Sequence, residues 1–204
     1  MLSGSETVSG QMIQHHQMHD ILIVGSGPSA KLAKDINLSR FTVIAVNHGW
    51  MAVDKQWKYW VIPRDYEGKA PDFRSGEEVK HHVSMLNKFG GEMACGYSIM
   101  LTASYFALTL KPSRIFYLGA DMNYTPDSQG NTHLYGVGLD ILKHKQADPD
   151  RMVIKHGNGD PDYLTNIYKR FQSYADNAGV LVRNLSGDPN SRLPYKQHNI
   201  EEFY

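Results

Sequence analysis

A chain of 204 residues, at the usual ~100–200 per domain, is enough for one compact domain and short for a two-domain enzyme. Its 21 Lys and Arg balance 21 Asp and Glu, so no global field draws it to nucleic acid or an anionic membrane. At 41% hydrophobic and 11% aromatic residues it can bury a core, which excludes disorder as its main state.

Cys95 is the one cysteine, which excludes an intramolecular disulfide and a cysteine-based zinc site and suits a reducing compartment. No run reaches the ~18 apolar residues of a membrane helix, and the N-terminus lacks the layout of a signal peptide. The expectation is a soluble, cytoplasmic protein of open oligomeric state. Residues 1–19 show no periodicity and read as a flexible tail, with residues 20–204 as the domain. His15, His16 and His19 in that tail lack carboxylate or cysteine partners, so no metal site is expected there.

Structure is predicted to begin at Asp20. Ile21-Leu22-Ile23-Val24 is a continuous β-branched and aliphatic run of the kind buried on both faces of a parallel sheet. Gly25-Ser26-Gly27-Pro28-Ser29 follows at once, then a predicted helix over 30–35. Strand, glycine-rich turn and helix in this order open a doubly wound α/β domain. A second strand over 41–46 ends in Asn47, and a third over 59–62 is closed by Pro63. The polar stretch 64–76 reads as a loop. Val79, Val83, Leu86 and Phe89 are spaced for an amphipathic helix over 77–89, ended by Gly90-Gly91. Residues 97–110 are apolar almost all round, as in a buried helix. A fourth strand over 115–118 ends in Gly119-Ala120-Asp121.

Residues 122–159 turn polar, and a connection this long inside a small domain reads as a functional loop or lid. Asp160-Pro161 starts a last helix carrying Leu164, Ile167, Tyr168 and Phe171, Gly179 ends it, and residues 180–182 form a final strand. The fold class is thus α/β: a Rossmann-like domain with a mostly parallel sheet, helices on both faces, and a lid after the fourth strand.

The glycine-rich turn is the strongest chemical signal. Glycine lets backbone approach a ligand, and a helix N-terminus offers N–H groups to a phosphate. The turn lacks the third glycine of the dinucleotide fingerprint and the Gly-Lys-Ser/Thr of a P-loop, which disfavours NAD chemistry and P-loop ATP hydrolysis. Asn47 and Asp121 stand at strand ends, where open α/β sheets bind ligands. A strand-end Asp equally suits a cap or a loop brace. Around Asp121 the sequence gathers Asn123, Tyr124, Thr132, His133, Tyr135 and His156, residue types suited to proton transfer and to hydrogen bonding a phosphate. Cys95, without a paired base, reads as a packing residue. Trp50, Trp57, Trp60 and Tyr59 form an aromatic group that reads first as core and rim.

The order of these motifs resembles the bacterial sialyltransferases of glycosyltransferase family 42: strand-Gly-Ser-Gly-Pro-Ser-helix, Val46-Asn47, Cys95-Gly96-Tyr97 opening an apolar helix, and the strand ending in Gly119-Ala120-Asp121. It is similar as well to the archaeal-type 6-hydroxymethylpterin diphosphokinases. The sialyltransferase resemblance implies a nucleotide-sugar donor held by the turn from Gly25 to Ser29, by Asn47, and by Ala94, Cys95 and Gly96, where the family usually shows Thr/Ser-Ser-Gly. It implies Tyr124 and Tyr135 on the leaving phosphate, His156 as general base, a hydroxyl acceptor of unknown identity, and no required cofactor. The diphosphokinase resemblance is carried by Asp121 and Thr132-His133-Leu134-Tyr135-Gly136, and implies ATP with Mg²⁺ served by Asp121. A non-catalytic nucleotide-binding protein is the remaining alternative, because the length leaves little room for an acceptor subdomain.

Overall fold

The first buried run becomes the centre of the molecule. In the computed structural model, which describes residues 19–74, 76–81, 84, 87, 98–123, 132–134 and 162–204, β1 (Asp20–Val24) lies between β2 (Phe41–Val46) and β5 (Arg114–Leu118). Outside these run β3 (Tyr59–Ile62), β4 (Glu78–His81) and β6 (Leu181–Asn184), in the order β4-β3-β2-β1-β5-β6. All five pairings are parallel. At the start of the register the Asp20 carboxylate receives two bonds from Arg114, at 3.0 and 2.6 Å, which tie β1 to β5.

Alternation along β1 explains why the whole run is apolar. Ile21 and Ile23 join a core with α1 (Ile99–Thr109) and α2 (Tyr163–Asn177), whereas Leu22 and Val24 face a second core with Ala30, Ala33, Leu38, Trp57 and Phe203. The sheet is therefore covered on both faces, by α-helices on one and by 3₁₀ segments with the C-terminal turn on the other. Residues 100–107 of α1 are all buried, as its unbroken apolar composition requires.

Three expectations change. The helix after the glycine turn is a 3₁₀ helix, Pro28–Asp35, rather than an α-helix. At three residues per turn Ala30, Ala33 and Ile36 fall on one stripe, and all three are buried in the second core. The amphipathic helix over 77–89 is also corrected: its first turn is β4, paired with β3 from Glu78 opposite Tyr59 to His81 opposite Ile62. Val79 packs on the second core while Lys80 lies over the Tyr59 and Phe106 rings at 5.8 and 5.5 Å, so the segment alternates as a strand does. Ser84 and Asn87 beyond it are helical and exposed. Third, the aromatic group is split by the sheet. Trp60 meets Tyr66 and Phe73 on one face, and Tyr59 meets Phe106 on the other.

The last helix starts at Tyr163, two residues later than the Pro161 signal, and closes at Gly179, whose φ of +72° is that of a left-handed helix end. The final strand runs to Asn184, further than the expected 182. Residues 1–18 of the tail, and all of the lid except 122, 123 and 132–134, fall outside the described residues. Among the described residues no helix is long and apolar enough to cross a membrane.

Candidate functional site

Strand order reverses between β1 and β5: the chain steps outward from β1 through β2, β3 and β4, then returns to the other side of β1. At such a reversal the strand ends open a crevice. A cavity of about 220 Å³ lies there, lined by Gly25 to Pro28 from β1, by Val46 and Asn47 from β2, and by Gly119 to Asn123 from β5. Ser98, Ile99 and Met100 at the start of α1, Leu164 and Tyr168 of α2, and Thr132 with His133 complete it.

The glycines have a reason of their own. A Cβ on Gly25 would stand 2.4 Å from the Gly119 carbonyl oxygen, and one on Gly27 would stand 2.3 Å from Asp121 Oδ2 and 2.9 Å from Gly119 O. The two strand-end turns are thus in backbone contact. Gly25 N donates to Leu118 O and Gly27 N to Gly119 O, both at 2.8 Å. Gly119 N donates to Ser29 Oγ at 2.8 Å, and Ser29 N donates to Asp121 Oδ2 at 3.1 Å.

That last bond corrects one expectation. The amides of Gly25, Gly27, Ser29 and Ala30 are spent on the protein's own acceptors, and the anion at this helix end is the Asp121 carboxylate. The turn lines the cavity without offering it a ring of N–H groups. Asp121 is the loop brace that its residue type also allowed.

Two acceptors in the cavity wall are left over. Asn47 stands at φ +50°, a left-handed conformation that Asn tolerates, and its carbonyl accepts from Trp60 Nε1 at 2.7 Å. Its side-chain Oδ1 is buried without a hydrogen-bond partner, and so is Asp121 Oδ1. An unmet buried acceptor costs about 1–3 kcal/mol, more when charged. Burial pushes the Asp121 carboxyl above the ordinary range, Asp188 adds to the rise, and the bonds from Ser29 oppose it.

Asp121 and Asn123 also line an adjoining cavity of about 300 Å³ with Ser186, Asp188 and Asn190. There Asn123 Nδ2 donates to Asp188 Oδ2, and Asn190 N to Asp188 Oδ1 at 2.8 Å. Across the first cavity, Thr132 Oγ1 is 2.9 Å from His133 Nδ1, and Leu134 N donates to Ser26 O at 2.9 Å, which ties this short segment to the glycine turn.

Of the residues expected at a site, Gly25, Ser26, Gly27, Pro28, Asn47, Asp121, Asn123, Thr132 and His133 come together on this one cavity. Ser29 lines the adjoining one. Lys31 is exposed on the 3₁₀ helix and lines neither cavity. Ala94, Cys95, Gly96, Tyr124, Tyr135 and His156 lie outside the described residues.

Ser98 was not singled out by sequence, and Tyr168 only as part of the apolar pattern of the last helix, yet their hydroxyls meet at 3.0 Å in the cavity wall. Ser98 is the N-cap residue of α1 without capping it through its side chain. A Ser immediately before an apolar run is a helix-start signal that the sequence did offer. Behind Tyr168, the buried Tyr195 donates to its carbonyl at 3.2 Å, and Tyr117 donates to Ser104 Oγ at 2.6 Å. Burial holds the Tyr117 and Tyr195 phenols protonated, well above the usual tyrosine range.

No family model and no curated protein matches the chain. Among solved structures it is similar to the sialyltransferase CstII from Campylobacter jejuni, in complex with a substrate analogue, CMP-3FNeuAc. The two share 14% identity over 90% of this chain and 88% of that chain, with a TM-score of 0.49. A similarity of that depth assigns neither substrate nor residue roles, and those are drawn from this chain's own side chains.

Proposed function

We propose that this chain binds a nucleotide in the cavity at the β1–β5 reversal and acts as a glycosyltransferase, moving a sugar from a nucleotide-sugar donor to a hydroxyl acceptor. The observation that carries this is the convergence of the polar ends of β2 and β5 with the start of α1 on one cavity. With the 3₁₀ helix end occupied by Asp121, the phosphate side of a nucleotide is assigned to the start of α1, where the Ser98 side chain makes no cap and, of the first-turn amides, Leu101 N donates to Ser98 O at 3.1 Å. The base side is assigned to Asn47, whose amide carries both donor and acceptor capacity.

In the transfer step an acceptor oxygen loses its proton to a base and attacks the anomeric carbon. The bond from that carbon to the donor phosphate breaks, and the nucleotide leaves with the electron pair. His156 is proposed as the base and Tyr124 with Tyr135 as donors to the leaving phosphate, while His133, its Nδ1 paired to Thr132, is the described histidine nearest this chemistry. Nothing in that step demands a cofactor.

An ATP- and Mg²⁺-dependent diphosphotransferase is the second reading, and one observation favours it. Asp121 and Asp188 line the adjoining oxygen-rich cavity, a ligand set suited to Mg²⁺ that keeps several waters and shares substrate phosphates. A thermal-shift panel of cytidine, uridine, guanosine and adenosine nucleotides, with and without Mg²⁺, separates the two. Stabilisation by a monophosphate or nucleotide sugar without metal supports the glycosyltransferase. Stabilisation by ATP only with Mg²⁺ supports the diphosphotransferase, and no stabilisation by any member of the panel rejects both.

A further inference from the structure

We infer that Thr132 holds His133 in its neutral Nε2–H form and that this N–H donates to the phosphate of the bound nucleotide sugar; the phosphate contact rests on the nucleotide-binding reading above. The starting point is a shortage of donors. The amides of Gly25, Gly27, Ser29 and Ala30 are spent within the protein, and the described residues lining the cavity include no lysine or arginine. In open α/β sheets a nucleotide phosphate lies beside the turn after the first strand. A donor from another segment has to meet it there.

Residues 132–134 stand at that place. Leu134 N donates to Ser26 O at 2.9 Å and its side chain packs on the second core, so the segment is tied to the glycine turn itself. His133 lines the cavity, half-buried, with Nδ1 2.9 Å from Thr132 Oγ1. That contact decides which ring nitrogen carries the proton. A threonine hydroxyl brings one hydrogen, and Thr132 is 4% exposed, with almost no solvent to receive it. Among the described residues the hydrogen-bond partner of that hydroxyl is His133 Nδ1. If Nδ1 carried the proton and donated to Oγ1, the hydroxyl hydrogen would be left buried without an acceptor. With Thr132 Oγ1–H donating to Nδ1, both groups are satisfied and the ring proton sits on Nε2.

This protonation state sets the role of the residue. With Nδ1 turned to Thr132, the ring meets a ligand through Nε2, and a nitrogen that already holds a proton takes none from an acceptor hydroxyl. His133 is therefore a donor to the ligand and not the base of the transfer. Of the groups that a nucleotide sugar brings, the phosphate is the acceptor with full negative charge, and an N–H to an anionic oxygen belongs to the stronger class of hydrogen bond. As charge builds on the leaving phosphate the bond strengthens, without a fixed cation in the wall.

The first test needs no ligand. A long-range ¹H–¹⁵N correlation spectrum of the full chain with ¹⁵N-labelled histidine, at about pH 8 where imidazole is neutral, reads the tautomer, with His133→Gln to assign the signal. The expected form is Nε2–H, and an Nδ1–H ring overturns the inference whether or not a nucleotide binds. The second is isothermal titration with CMP-N-acetylneuraminic acid, UDP-glucose, GDP-mannose and ADP-glucose. For whichever binds, His133→Ala should lose about tenfold or more in affinity, the factor for a charge-assisted hydrogen bond, whereas His133→Gln, which keeps an N–H donor, should stay within about threefold. Equal affinities of His133→Ala and His133→Gln overturn the donor role. Thr132→Ser should match the wild type and Thr132→Val should bind about threefold or more weakly; equal binding by these two overturns the part given to the hydroxyl. The ³¹P resonance of the bound ligand should move between wild type and His133→Ala, and an unmoved resonance overturns the contact with phosphate. If none of the four nucleotide sugars binds, the nucleotide-binding reading fails and the phosphate contact with it, while the tautomer is still read from the first spectrum.

Discussion

Gly27 and Asp121 compete for the same few cubic ångströms, and that closeness determines what substitution does. Gly27→Ala places a methyl 2.3 Å from Asp121 Oδ2, so either the carboxylate leaves Ser29 or the two turns separate. We expect a loss of about 1–3 kcal/mol in urea unfolding. Gly179→Ala meets no atom within 4 Å and carries only the φ +72° strain, so it should cost about 1 kcal/mol. Equal costs for the two would show that the contact between turns is not what requires glycine. Asp121 adds a pH signature. Its folded pKa lies above the unfolded one because burial penalises the charge, so the native state binds the proton more readily. Stability contributed by this group is therefore lost as pH rises through the folded pKa and regained as pH falls toward the ordinary Asp value near 3.8. Relative to Asp121→Asn, the wild type should gain stability as pH is lowered from about 7 to about 4. A difference that stays flat over that range would remove the burial penalty. Asn47, Asp121 and the glycines were legible in sequence because a polar residue directly after a buried strand has one place to go. Ser98 and Tyr168 were not, because which face of a helix meets a cavity depends on what packs on the rest of it.

The elements differ in how much of their form is local. β1, β2 and β3 are runs of β-branched and aromatic residues, and their bounds follow from composition. The segment after the glycine turn is different: Pro28, the Asp121 bond to Ser29 and a stripe of small residues at a spacing of three draw it into a 3₁₀ helix. Ala33, 1% exposed on that stripe, should not accept bulk. Ala33→Leu is expected to cost about 1–3 kcal/mol by chemical denaturation, and Lys34→Ala, on the exposed side, less than about 0.5. β4 shows the opposite case. Glu-Val-Lys-His reads as the first turn of an amphipathic helix until β3 offers an open edge, and the parallel ladder then outweighs a weak local preference. On α2, Phe171 is fully buried with its ring 5.1 Å from Tyr105, so Phe171→Ala should cost about 3–5 kcal/mol. A loss below about 1 kcal/mol would contradict the placement of α2 on the sheet.

At the scale of the whole molecule, charge neutrality becomes a statement about the ligand. The described residues lining the cavity include one carboxylate, one histidine and no lysine or arginine. Nucleotide binding should therefore change by less than about threefold between roughly 50 and 300 mM NaCl, where a basic cleft would lose far more. A steep salt dependence would place the phosphate on cations beyond the described residues. The sequence by itself determined the α/β class, the central strands, the glycine turn and the two strand-end polar residues, because each follows from local composition and from the period of its pattern. Only the tertiary structure decided that β4 is a strand, that Ser98 and Tyr168 reach the cavity, and that Asp121 occupies the helix end expected to hold a phosphate. Those outcomes depend on which segments meet across the sheet, since an edge, a buried helix face or an N–H group is available to a ligand only if the rest of the chain has not already taken it.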